Sequence, residues 1–175
     1  MEADWEVEVG GGAPVIEALW PGFVDLRQNP ERIGEIQEAA VFPALAGLIR
    51  SLHEAGSPVW TAKCDLWELE VNELACYIDL LPVAGVVFPQ WKKAEVFCRE
   101  WVAMLTPVPL PECRVDLIVR QAIVGETEGF GVTAYLSATG RDRSGAAETL
   151  AAALVAFAGA IPPIATPEAA ASKLQ

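Results

Sequence analysis

The sequence predicts an α+β fold: a largely antiparallel sheet from three β-hairpins, each followed by a helix, with the helices packed on one face as a two-layer sandwich. Three observations lead there. Apolar residues alternate with polar ones in paired stretches separated by turn-forming residues, stretches with helical spacing follow each pair, and the pair-then-helix pattern recurs at a spacing of roughly 55 residues. Hairpins that bury one face, followed by amphipathic helices, favour helices stacked on a single side. The repeat is architectural, since the three units share no side-chain pattern.

In the first unit Trp5, Val7 and Val9 alternate with Asp4, Glu6 and Glu8, the pattern of a half-buried strand. Gly10-Gly11-Gly12 can adopt the positive φ of a turn, so Val15 to Leu19 is expected to return antiparallel, with Phe23 to Leu26 continuing it after Trp20-Pro21-Gly22. Asn29-Pro30 starts a short helical piece carrying Ile33 and Ile36, and Pro43 interrupts it. Leu45, Leu48, Ile49 and Leu52 fall at i, i+3, i+4 and i+7 of the main helix, with Gly56 placed to end it.

The second unit begins with Trp60, Ala62, Cys64 and Leu66, after which the apolar phase jumps to Trp67, Leu69 and Val71; a bulge near Leu66 would account for the jump. Asn72-Glu73 reads as the turn to a strand over 75–81, and the spacing of Trp91, Ala94, Phe97, Cys98, Trp101, Val102 and Leu105 predicts the next helix. In the third unit Val115, Leu117, Val119 and Ile123 share one strand face. A turn over Gly125 to Gly129 leads to Phe130, Val132, Ala134 and Leu136. Asp142 or Ser144 caps a final helix to about Ala160, apolar on nearly every side and therefore expected to be the most buried. These elements form a single domain over 1–161, with 162–175 an extended, loosely ordered tail.

At 175 residues the chain can bury a core without crosslinks. It is 53% hydrophobic with positive mean hydropathy, so apolar surface covered by a second copy is the first expectation, and a homodimer is predicted. The longest uncharged stretch lies between Glu148 and Glu168. Pro162 and Pro163 end its helical part well short of the roughly 20 residues a membrane crossing requires, so no membrane partner is expected. Met1-Glu2-Ala3-Asp4-Trp5-Glu6 lacks the basic and apolar runs of a secretory signal, which favours a cytoplasmic location.

Cys64, Cys76, Cys98 and Cys113 are widely spaced and His53 is the one histidine, so neither a metal site nor another cofactor is predicted. The formal charge of -12 disfavours nucleic acid and suits a basic protein or a cationic small molecule.

Two groups of residues stand out as candidate sites. Gly140, Arg141, Arg143 and Ser144 lie between a strand and a helix N-terminus, where free N–H groups and two arginines favour an anionic ligand. The competing reading pairs the arginines with acidic neighbours and leaves Gly140 to make the turn.

Glu6, Glu8, Glu17, Trp20, Asp65, Trp67 and Glu68 form an acidic and aromatic interaction patch if the first two hairpins are neighbours. A Cys64–His53 dyad is disfavoured, because six strand residues carry Cys64 about 20 Å from the turn that keeps His53 near its start. Glu126 and Glu128 sit at a wet hairpin tip, with no desolvation to separate their roles. No catalytic residue is predicted. An acidic binding or protein-interaction domain is the leading expectation, and an enzyme or binding protein holding an anion at Arg141–Ser144 the alternative.

Overall fold

A computed structural model describes residues 1–164 and shows an α+β architecture. Its six strands are β1 (Glu2–Glu8), β2 (Val15–Ala18), β3 (Val59–Glu70), β4 (Glu73–Pro82), β5 (Cys113–Val124) and β6 (Thr127–Thr139). A 3-10 turn over Pro30–Glu35 precedes four α-helices: α1 (Gln37–Val41), α2 (Pro43–Leu52), α3 (Trp91–Leu105) and α4 (Arg143–Gly159). The tail expectation for 165–175 lies outside the described residues.

The sheet is mixed, with order β1-β5-β6-β4-β3. β3–β4 and β5–β6 are hairpins, and β4 joins β6 antiparallel. The first unit is not a hairpin, and the expected antiparallel return is corrected: β1 and β2 run in line, both parallel to β5, pairing first with Arg114 to Arg120 and then with Gln121 to Val124. Gly10 (φ 135°) and Gly12 (φ 88°) make a jog in an edge strand rather than a reversal. The twelve residues of β5 are long enough to pair with both segments, which satisfies their backbone groups without a chain reversal between them.

Phe23 to Leu26 is irregular rather than a strand, Leu26 entering the main core and Phe23 packing beside Trp60. The irregularities in the β3–β4 ladder fall between Thr61 and Lys63 and between Glu68 and Glu70, rather than at Leu66. The third turn is shorter than expected, with only Gly125 (φ 60°) and Glu126 between β5 and β6.

The expected apolar stripes close one large core. Leu45, Leu48, Ile49 and Leu52 of α2, Ala94, Phe97, Cys98, Trp101 and Leu105 of α3, and Ala146, Leu150, Ala153, Leu154 and Phe157 of α4 are all buried. They meet Cys113, Val115, Leu117 and Val119 of β5 and Val132, Ala134, Leu136 and Ala138 of β6. Trp101 stacks on Phe157 at 4.1 Å, and its indole N–H donates to the Phe157 carbonyl at 3.2 Å, so a large polar-tipped side chain is buried with its donor satisfied. α4 also carries Val155, 74% exposed, so its apolar surface is only partly enclosed within the chain.

A second, smaller cluster lies on the opposite side of the strands. Ile16, Ala18, Trp60, Ala62, Leu81, Val87, Ala122 and Val124 form it, with Phe23 and Val86 packed against them, and none of its members comes from a helix. The loops beside it hold two non-glycine residues at positive φ, Leu19 (63°) and Val86 (68°). Such backbone costs of order 1–3 kcal/mol and persists only where packing imposes it. Gly131 permits the close approach, because a Cβ there would meet the Ile16 side chain and the Leu80 carbonyl at 2.9 Å.

Candidate functional site

Strand alternation places two sets of residues back to back. As Val115, Leu117 and Val119 point into the main core, Arg114, Asp116, Ile118 and Arg120 point the other way; on β4 the same holds for Tyr77 and Asp79 against Cys76, Ile78 and Leu80. Register then aligns these outward residues in rows across the sheet. One row runs Asp4, Asp116, Tyr135, Tyr77, Asp65, and the next Glu6, Ile118, Thr133, Asp79, Lys63. The apolar cluster at one end of this face is built from strands and loops alone, without a residue from any described helix.

The centre of the face is a hydrogen-bonded chain. Arg120 donates through Nε and Nη2 to Glu8 Oε2 at 3.2 and 2.9 Å, and through Nη1 to Tyr135 Oη at 3.2 Å and Thr133 Oγ1 at 3.3 Å. Thr133 Oγ1 in turn donates to Asp79 Oδ1 at 2.5 Å. Asp79 is only 8% exposed, and burial raises its pKa against the lowering effects of Thr133, Arg120 and Lys63. Among the described residues its Oδ2 accepts no protein hydrogen bond but keeps access to the groove, the one fully buried side-chain polar atom without a partner being Trp60 Nε1.

Aromatic rings frame this chain. Trp67, Tyr77 and Tyr135 form a triangle with centroids 5.8 to 6.4 Å apart and mutually inclined planes. Arg120 lies over Tyr135 at 5.5 Å and Lys63 over Tyr77 at 5.9 Å. The neighbouring Tyr77 hydroxyl, followed by Asp79 and Asp65, raises the pKa of Lys63 and keeps it a cation. Toward the small cluster the face sinks into a groove of about 470 Å³, lined by Val15, Glu17, Trp20, Lys63, Tyr77, Asp79, Arg120 and Tyr135. Trp20 is held edge-on to Phe23 at 4.8 Å with 40% of its surface exposed.

The residues of the expected acidic and aromatic patch divide. Glu6 and Glu8 on one edge strand share this face with Asp65 and Trp67 on the other, while Glu17 and Trp20 line the groove. Glu68 belongs to the opposite side, in phase with Cys64 and Leu66, where it forms an ion pair with Arg143. The first two hairpins were expected to be neighbours, but β1 and β3 are the two edges, so the patch is assembled across the whole sheet.

At the other candidate site Asp142 caps α4 by accepting from the Gly145 N–H at 2.9 Å. Gly140 lies so close to the helix that a Cβ would collide with the backbone of Gly145 and Ala146, and its N–H donates to the Asn72 carbonyl at 2.9 Å. Arg141 and Ser144 lie on the same exposed turn. This turn therefore meets Glu68, Asn72 and Asp142 of its own chain.

Cys64 and His53 serve different surroundings. The Cys64 thiol is pushed up to about 12, first by burial and then by Glu38, Asp65 and Asp79. His53 Nδ1 lies 2.8 Å from the Ile49 carbonyl, and burial lowers its pKa. A thiol so difficult to ionise is a packing group.

Sequence reasoning did not single out Lys63, Tyr77, Asp79, Arg120, Thr133 or Tyr135. Their signal was a period-two polar stripe on otherwise apolar strands, which becomes a site only once β4, β5 and β6 are known to be adjacent. No protein-family model, curated protein or solved structure matches the chain.

Proposed function

We propose that this chain is a recognition domain whose ligand rests on the face of the sheet opposite the helices. The observation carrying this reading is the Glu8–Arg120–Thr133–Asp79 chain, which ends on a carboxylate oxygen without a protein partner at the floor of a groove. Burying a carboxylate is unfavourable, and this one is held in place by bonds that fix its direction before anything binds. The groove is in the size range of small-molecule sites, and the aromatic rings around it supply apolar contact area.

Fragment mapping by NMR on the intact chain tests this proposal. A chemically mixed library should shift resonances of Trp20, Tyr77 and Tyr135 preferentially, and Thr133→Val should weaken those shifts. Fragments that gather elsewhere and ignore this face would refute the proposal.

A second reading, recognition of a basic protein segment, draws on the charge of the whole face. Glu2, Asp4, Glu6, Glu8, Asp65, Asp79 and Asp116 outnumber Arg114, Arg120 and Lys63, and the two arginines are already paired, Arg114 with Glu2 and Asp116 and Arg120 with Glu8. A basic peptide bound here should lose affinity steeply as salt rises and lose it again in Asp65→Asn. The proposed homodimer has a different surface to use. Val83 and Val96, both exposed, line an apolar groove of about 970 Å³ with Phe88, Pro89 and Phe97.

A further inference from the structure

We infer that the groove over Asp79 takes a neutral, polyhydroxylated ring, such as a pyranose sugar. This rests on the sheet face being the ligand surface, and it adds the chemistry of the ligand.

The lining charges carry the argument. Lys63 and Arg120 stand beside Asp79 and Glu17, so any ionic ligand would meet its own sign along with the opposite one. Like charges brought together in a partly desolvated groove are repulsive, whereas a hydroxyl both donates and accepts and can use either neighbour. Asp79 Oδ2 is a fixed acceptor. The Lys63 ammonium forms no ion pair among the described residues, so it supplies donors on the adjacent strand directly across from Asp79.

The apolar walls complete the match. A pyranose is amphipathic, with C–H bonds on its flat faces and hydroxyls around its rim. The exposed indole of Trp20 and the rings of Tyr77 and Tyr135 offer the matching flat surfaces. Rigid aromatic walls and a preset carboxylate also reduce the ordering cost of binding a ligand with many hydroxyls. The small cluster beneath Trp20 then acquires a purpose: it anchors the wall of the groove through Phe23 and Trp60.

The test is saturation-transfer NMR and tryptophan fluorescence on the intact chain. The probes are D-glucose, D-galactose, D-mannose, N-acetyl-D-glucosamine, maltose and cellobiose, with D-glucuronate and choline as charged comparators. At least one neutral sugar should bind, with transfer strongest at its ring C–H protons. Asp79→Asn, which keeps the shape but replaces the free acceptor with a donor, should weaken that binding about tenfold or more, as should Trp20→Ala at the exposed wall. Val155→Ala, on the exposed side of α4 and outside the groove, should leave it unchanged; thermal melts of all three variants confirm that each is folded. Failure of every neutral sugar, binding confined to glucuronate or choline, or binding that survives both groove substitutions would overturn the inference. Fragments that occupy the groove while sugars do not would reject this ligand class and leave the recognition reading standing; fragments that avoid the groove would end both.

Discussion

The two faces of one sheet put the same strands to opposite uses. On the helix side alternate residues of β4, β5 and β6 are aliphatic and meet Phe97, Trp101 and Phe157 in a continuous apolar core. On the other side the intervening residues of those strands are Arg120, Thr133, Tyr135, Tyr77 and Asp79; hydrogen bonds join all but Tyr77, and all but the buried Thr133 line a groove. Stability therefore comes mainly from one face, and the other is free to hold polar groups whose burial is unfavourable. The cluster around Trp60 is the exception. There the second face is closed with apolar contacts, and Arg27 lies 3.8 Å from the Trp60 ring centroid, oriented by its ion pair with Asp25.

This contrast breaks most visibly with tryptophan truncations. Trp101→Ala removes a fully buried, stacked and hydrogen-bonded ring and should cost about 3–5 kcal/mol in urea unfolding. Trp67→Ala on the open face should cost no more than about 1 kcal/mol. Comparable losses would show that both faces contribute equally to stability.

Gly140→Ala should come next, at about 1–3 kcal/mol, because the new methyl must displace the backbone at the start of α4. A variant as stable as the parent would mean that this junction is loose. Arg27→Ala should destabilise by about 0.5–1 kcal/mol through loss of the contact over Trp60, measured by the same unfolding curves.

The pH dependence sharpens the comparison further. Asp79 holds its proton more tightly in the folded chain than in the unfolded one, chiefly because it is buried. Its stabilising contribution is therefore complete below the unfolded value of 3.8 and is lost as pH rises through the raised folded value. Asp79→Asn should flatten that part of the stability profile in acid and leave the protein no less stable at neutral pH. A slope unchanged in the variant would assign the titration to another group.

His53 runs the other way. Burial lowers its pKa, so its contribution is present above the ordinary value of 6.5 and is lost as pH falls through the folded value. His53→Gln should remove this dependence, the smallest of the expected effects.

Much of this was legible in the residues themselves. Trp91 to Leu105 announces α3 through its spacing, Asp142 announces the cap of α4, and the alternation from Val115 to Val119 and from Val132 to Leu136 marks the third hairpin. These features depend on neighbours within a few positions in the chain. The first unit failed for the opposite reason. Three glycines are compatible with either a reversal or a jog, and the choice lay with β5, more than a hundred residues away. Trp67 admitted two readings, a place in a shifted apolar stripe and a place in the acidic and aromatic patch; it lies on the open face, because the phase change is at Thr61 to Lys63.

By itself, then, the sequence determined the hairpin and helix segments of the second and third units and which side of β5 and β6 is apolar, because those properties follow from local periodicity and capping. Only the tertiary structure decided that β1 and β2 run in line beside β5, that Glu68 turns away from the acidic face, and that Asp79, Thr133 and Arg120 from three strands form one chain. Strand order is a contest among long-range pairings, settled by which arrangement buries the apolar faces while satisfying every backbone group, and no stretch of residues encodes that outcome alone.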